Sequence, residues 1–293
     1  MNAVATLPDG TRTGRCAIVS LPGTCGEWVQ GTLDGVPCLV SCPIDWYGTV
    51  TVEIGDTSGP RILPPAGAKT AVAVARALAA AGEDGTGVTV RSRNPLPRSR
   101  GYASSTIDVA GAILATGRVF GRPFAAAEAA RLAVSVEPSD GIMFPGLTLL
   151  AHRDASFYRE LGPVPELGVV VIDPGGSVDT VAFNQTDHRA ALAGLAPRHR
   201  DAFEQLAAGL ARGDRQAVAE AATQSALAHQ ALLPNPLLEP ALALARRAGG
   251  LGILRAHSGT LAGIICEPDV LPALADRAQT QFPDCTIRRH RCL

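Results

Sequence analysis

Pro97-Arg98-Ser99-Arg100-Gly101-Tyr102-Ala103-Ser104-Ser105-Thr106-Ile107-Asp108, running into the apolar stretch Val109 to Ala115, reads as a loop that breaks into a helix. Pro95 and Pro97 forbid regular structure before it, and Gly101 permits a backbone angle that other residues avoid. Ser104, Ser105 and Thr106 are helix-starting residue types, because their hydroxyls can take up free backbone N–H groups. From Ile107 small and apolar residues recur at helical spacing, to about Arg118. A glycine-bearing loop feeding a helix N-terminus presents several N–H groups and roughly half a positive charge of helix dipole, which suits an anion such as phosphate. The same residues also suit a plain capped helix after a proline loop. Arg98 and Arg100 either add charge against phosphate or stay solvated.

Composition sets the outer bounds. With 293 residues, 46% hydrophobic and 18% charged, the chain can bury a sizeable core in one large or two modest domains. A formal net charge of −1 gives no electrostatic reason to expect nucleic acid or an anionic membrane. Lys69 is the one lysine. The segment around it, Leu63 to Thr70, has Leu63 and Ala68 where a Walker A loop requires glycine. The seven cysteines form no paired C-x-x-C set, which argues against a disulfide scaffold or structural zinc and for small buried residues in a reducing compartment. Met1 to Arg15 has no signal-peptide core and no segment is long enough to span a bilayer, so a cytoplasmic protein is expected.

Along the chain, strands are expected at Cys16 to Leu21, Val36 to Ser41, Thr49 to Ile54, Gly87 to Ser92 and Thr148 to Ala151. Helices are expected over 70–81 and about 125–134. Charges and prolines over 152–166 suggest a boundary, giving domains of 1–155 and 156–293. In the second half Leu167 to Ile172 reads as a strand, followed by helices at about 187–195, 198–211, 214–231 and 237–248. Gly252 to Leu254 and Thr260 to Cys266 read as strands around Arg-Ala-His-Ser-Gly259, before a helix at about 268–281 and a strand at about 284–290. Asp140, between Pro138-Ser139 and Gly141, sits on a sharp turn that can hold a carboxylate at a cleft, as a general base or as an Asx-type turn residue.

Pro97-x-x-x-Gly101-x-Ala103-Ser104-Ser105 resembles the Pro-x-x-x-Gly-Leu-Gly-Ser-Ser phosphate loop of the GHMP kinases, with Tyr102 for the usual leucine and Ala103 for the usual glycine. Pro22-Gly-Thr-Cys-Gly-Glu27 and Gly249-Gly-x-Gly252 through His257-Ser258-Gly259 are similar to that family's first and third motifs. The resemblance implies an α+β fold: an N-terminal domain like ribosomal protein S5, then a ferredoxin-like domain, with the active site between them. It implies ATP and Mg²⁺ as cofactors. Pro97, Arg100, Gly101, Tyr102, Ala103, Ser104, Ser105 and Thr106 would form the ATP site, with Ser105 facing the metal and Asp140 as catalytic base. The family's helix-borne metal glutamate maps to Glu128, with Glu137 as its rival.

Within the family, Cys25-Gly-Glu-x-x-Gln-Gly31, Val40 to Tyr47, Ala103 to Asp108, Glu137 to Gly141, Val178 to Asn184 and Ala256 to Gly259 are similar to the L-threonine kinase branch. That implies phosphorylation of the threonine hydroxyl, a step toward the aminopropanol linker of cobalamin. Glu27 or Asp45 would take the ammonium, and Cys25, Gly26, His257, Ser258 and Gly259 would complete the acceptor site. The alternatives are a kinase for another hydroxylated amino acid such as homoserine, or a non-catalytic nucleotide-binding relative. No Gly-x-Ser-x-Gly elbow supports a hydrolase. ATP and a small hydroxylated amino acid are the expected partners, and a homodimer is left open.

Overall fold

The structure, a computed structural model, describes residues 15–176 and 189–293. Two long antiparallel strands form its middle, β1 (Cys16–Leu33) and β2 (Val36–Ile54), paired from Cys16↔Glu53 to Leu33↔Val36. Both outrun their expectations. Pro22 to Gly31 and Cys42 to Tyr47, outside the expected strands, continue them, because shifts of register at Pro22/Gly23, Thr24/Glu27 and Glu27/Val29 absorb the glycines and the proline. The remaining strands are β3 (Arg61–Ile62), β4 (Val88–Arg93), β5 (Leu147–Leu150), β6 (Tyr158–Gly162), β7 (Gly168–Asp173), β8 (Gly250–Arg255), β9 (Ala262–Cys266) and β10 (Thr286–Arg291). The sheet runs β10-β7-β9-β8-β1-β2-β4-β3, with β5 joined to β2 and β6. One sheet therefore passes through both halves of the sequence, and β1 meets β8 at Glu27↔Arg255. Within 152–166, read as a boundary between domains, β6 pairs back on β5.

The helices are α1 (Ala68–Ala81), α2 (Ser104–Val119), α3 (Ala126–Val134), α4 (Arg189–Arg212), α5 (Arg215–His229), α6 (Leu238–Ala248) and α7 (Leu271–Gln281). The two helices expected on either side of residue 197 are one, α4, with Pro197 inside it. Val178 to Asn184 lies outside the described residues. No helix among the described residues is long and apolar enough to cross a membrane.

α2 is the buried element. Ile107, Val109, Ala110, Ala112, Ile113 and Ala115 are all solvent-free, so the helix is apolar nearly all round. Its small residues let it sit close: a Cβ on Gly111 would fall 2.7 Å from Val50 Cγ2. Burying each large aliphatic side chain stabilises by about 1.5–3 kcal/mol, which fixes the helix start, and the loop before it, against β1 and β2. All seven cysteines are free thiols, five of them buried.

Gly26 and Gly35 separate backbone strain from crowding. Both have positive φ, +61 and +80, but a Cβ on Gly26 would lie 2.2 Å from the Arg255 carbonyl oxygen while one on Gly35 meets nothing within 4 Å. Gly35→Ala should cost only the left-handed strain of about 1–2 kcal/mol. Gly26→Ala must also push β8 away, so its Tm should fall further by several degrees in thermal unfolding. Equal shifts would mean that β8 yields to the methyl group.

Candidate active site

The loop before α2 is strapped by its carbonyls. Leu261 N–H donates to the Arg100 oxygen at 3.2 Å, and Thr24 N–H to the Tyr102 oxygen at 3.1 Å. The Gly101 oxygen accepts from Gly26 N–H at 3.2 Å and from Thr24 Oγ1 at 2.9 Å. The first and third motifs thus meet the phosphate-loop motif through backbone contacts. Gly259 has to be glycine here, since a Cβ would stand 2.2 Å from the Arg100 oxygen. Gly101 has φ +106. Ala103, which stands where the resembled loop has glycine, takes the left-handed region that glycine favours, with φ 58 and ψ 21 as N-cap of α2.

Ser104, Ser105 and Thr106 do not cap the helix with their hydroxyls, as the sequence suggests; α2 has no side-chain cap hydrogen bond. Two of them turn to carboxylates instead. Ser105 Oγ donates to Glu137 Oε1, and Thr106 Oγ1 donates to Asp140 Oδ2 at 2.9 Å. The first N–H groups of the helix are left to an outside acceptor, at the positive end of its dipole.

A cleft of about 290 Å³ opens in front of this loop, lined by Gly101 to Thr106 and by Glu137 to Asp140, with Glu27, His152, His257 and Ser258 forming further wall. Asp140 is held between two hydroxyls, with Ser41 Oγ donating to Oδ1 at 3.0 Å. Desolvation in the cleft pushes the Asp140 carboxyl above its ordinary range, the Thr106 and Ser41 hydroxyls partly offset this, and Glu137 adds to the rise. Glu27 is only 5% exposed, and its Oε2 has no hydrogen-bond partner among the described residues. Burial and then Asp140 push its carboxyl well up. A buried carboxylate with an orphaned oxygen is costly unless a cation completes it.

At the other side of the cleft Glu137 receives Lys69 Nζ at 2.5 Å as well as Ser105. Among the described residues no three His, Cys, Asp or Glu side chains form a ready-made metal cage. One carboxylate and one hydroxyl are nevertheless hard oxygen donors, and they fit a divalent ion that keeps waters and binds phosphates. Glu128, preferred from the resemblance, belongs elsewhere: on the first turn of α3 it pairs with Arg122 at 2.8 Å and lies outside the cleft lining.

Other expected site residues are also redistributed. Asp45 receives His290 Nδ1 at 2.9 Å and the Arg291 backbone and side chain; burial opposes its ionisation, but these hydrogen bonds outweigh it and hold its pKa low. It ties the last strand to β2 rather than lining the cleft. Arg100 spends its charge on the buried Asp173, with Nη1 at 3.1 Å, and Tyr102 donates its hydroxyl to the same carboxylate oxygen at 3.1 Å. Tyr102 and Gly101 still line the cleft; Pro97, Arg100, Cys25, Gly26 and Gly259 do not. Cys25 is fully buried.

Four residues of this neighbourhood were not legible beforehand: Ser41, Asp108, His152 and Asp173. Asp108 accepts from Ser92 at 2.6 Å, Asn94 at 3.1 Å and Arg98 at 2.7 Å, which fixes the approach to the loop. Its place in Ala-Ser-Ser-Thr-x-Asp was the available signal.

Residues 68–144 match the model of the GHMP kinases N terminal domain. The chain is 31% identical over 252 residues to the L-threonine kinase of Citrobacter freundii, covering 86% of each. It is 31% identical over 254 residues to the L-threonine kinase of Salmonella typhimurium, covering 86% of this chain and 83% of the relative. Homoserine kinase of Cytophaga hutchinsonii superposes with a TM-score of 0.73 at 15% identity, over 99% of this chain and 97% of the other. The α+β architecture is thus that of the GHMP kinases, and the chain belongs to the GHMP kinase family.

Proposed function

We propose that the protein is an ATP-dependent kinase that phosphorylates the side-chain hydroxyl of L-threonine. The observation that carries this reading is the pairing, in one cleft, of a strapped loop at a helix N-terminus with two carboxylates, Asp140 and Glu27, whose environments raise their pKa. The kinship with L-threonine kinases selects the acceptor.

In this reading the helix-start N–H groups and Ser104 hold phosphate oxygens, where their positive potential offsets charge that develops in transfer. Ser105 Oγ and Glu137 would hold Mg²⁺, which would supply charge to neutralise the phosphates. Lys69, already on Glu137, adds a cation at the same edge. Asp140 accepts the proton of the threonine hydroxyl as that oxygen bonds to the γ-phosphorus and the bond to the ADP oxygen breaks. Ser41 and Thr106 keep the Asp140 carboxylate in place. Glu27 holds the threonine ammonium, which supplies the charge its buried carboxylate lacks. The product would serve the aminopropanol linker of cobalamin.

The decisive experiment is a coupled ADP-release assay with threonine, serine, homoserine and no acceptor. Threonine should be preferred, because the hydroxyl of homoserine is one methylene further out and misplaced for in-line transfer. If homoserine matches threonine in kcat/KM, the acceptor assignment fails and only a kinase remains.

Asp140→Asn should lower kcat by roughly 10²-fold or more with ATP affinity preserved. In the parent enzyme a base must be deprotonated, so activity should fall as pH drops through the raised Asp140 pKa, on an acid limb above the ordinary aspartate range. A parent profile flat through that range, or an Asn variant within threefold of the parent, would remove Asp140 as base.

Glu137→Gln should raise the Mg²⁺ concentration needed for half-maximal rate by roughly 10-fold or more, as losses of metal carboxylates and their supports do. Glu128→Gln, at an exposed pair with Arg122, should leave it unaltered. The reverse order in a Mg²⁺ titration would restore Glu128.

A further inference from the structure

His152 lies two residues beyond β5 and is 3% exposed, yet it forms part of the cleft wall. Its carbonyl accepts from Ser139 N–H at 2.9 Å, which ties it to the turn that carries Asp140. Its ring lies edge-on to that of His257, with centroids 5.0 Å apart. Neither His152 nitrogen has a hydrogen-bond partner among the described residues. An imidazole so buried loses its water, and leaving both nitrogens unpaired carries the desolvation penalty of each. Burial, then His257 and Arg153, hold its pKa well below the usual range. The ring is therefore neutral near pH 7, with one N–H to give and one lone pair.

Two orphaned groups of opposite sense thus share one cleft, with Asp140 in the same wall. Glu27 offers an acceptor oxygen that wants a cation; His152 offers a donor that wants an acceptor. The cations at the cleft are already engaged: Lys69 with Glu137, and Arg98 with Asp108. An α-amino acid carries an ammonium and a carboxylate in fixed relation to its hydroxyl, and the second of these has no charged partner left. We propose that His152 binds the carboxylate of the amino-acid acceptor while Glu27 holds its ammonium, and that His152 thereby sets the selectivity for amino acids over amino alcohols. Ser258 adds a hydroxyl in the same wall.

The inference rests on the kinase reading, and its test separates the two. The ratio of kcat/KM for threonine to that for its decarboxylated amino alcohol is measured in the parent, in His152→Ala and in His152→Gln. Threonine amide, which keeps the shape and loses the charge, serves as a third acceptor. A hydrogen bond to a charged group should lower the threonine-to-amino-alcohol ratio by about 10–100-fold in His152→Ala. His152→Gln, which keeps an N–H donor, should recover much of it, and threonine amide should follow the amino alcohol rather than threonine. A ratio that does not move, or an equal loss on every acceptor in both variants, overturns the carboxylate role and leaves the kinase standing. A parent that phosphorylates none of these acceptors overturns the kinase reading and the inference together.

Discussion

The site depends on where the carbonyl groups of residues 100–102 go. Each is taken by the scaffold: Arg100 by Leu261, Gly101 by Gly26 and Thr24, Tyr102 by Thr24. A loop that gives its acceptors to the protein has only donors left for the cleft, which is what the proposed phosphate site requires. The arrangement needs two segments, far apart in sequence, to reach the loop at once. It is also why glycine is fixed at positions 26 and 259, where a Cβ would meet backbone at 2.2 Å. The second half of the chain holds the loop twice over, since Asp173 at the end of β7 receives both Arg100 and Tyr102.

The carboxylates around the cleft are distinguished by what already neutralises them. Asp108 has Arg98 and two neutral donors; Glu137 has Lys69 and Ser105. Asp140 has hydroxyls only, and Glu27 is left with an unpartnered oxygen. This gradation orders the roles. Asp108, paired and outside the cleft lining, is architecture; Glu137, at the cleft edge, still offers oxygens to a cation; a hydroxyl-held carboxylate can still take a proton, and an unpaired buried one suits charge brought by a ligand. None of it rests on net charge, which is nearly zero for the whole chain.

What could be read from the sequence was what is local. Gly101, the serine pair and Asp140 announce themselves through neighbours within a few residues, because turn chemistry and helix starts act over that range. Asp45 could not be assigned, since the groups that occupy it, His290 and Arg291, are some 245 residues away. Glu128 and Glu137 were indistinguishable for the same reason: one meets Arg122 and the other Ser105, and both contacts are tertiary. The long strands were hidden by Pro22, Gly23 and Pro43, which normally end a strand and here sit where register shifts and pairing with β1 accommodate them. His152 gave no signal, for a buried histidine beside a hairpin looks like any core residue until its nitrogens are found without partners.

The division between backbone and side chain explains how one scaffold serves different acceptors. The proposed phosphate cradle is made of N–H groups, a helix dipole and a glycine, which depend on the path of the chain more than on side-chain identity. The proposed acceptor wall is made of side chains, those of Glu27, His152, His257 and Ser258. Glu27 is the exception that joins the two. It lies at the seam where β1 meets both Ser41 of β2 and Arg255 of β8, beside the glycine that donates to the loop. An ammonium drawn to Glu27 is consequently registered against the same strand that fixes the phosphate loop. The distance between acceptor and donor is then set by β1 itself rather than by a mobile side chain, which is the condition for in-line transfer.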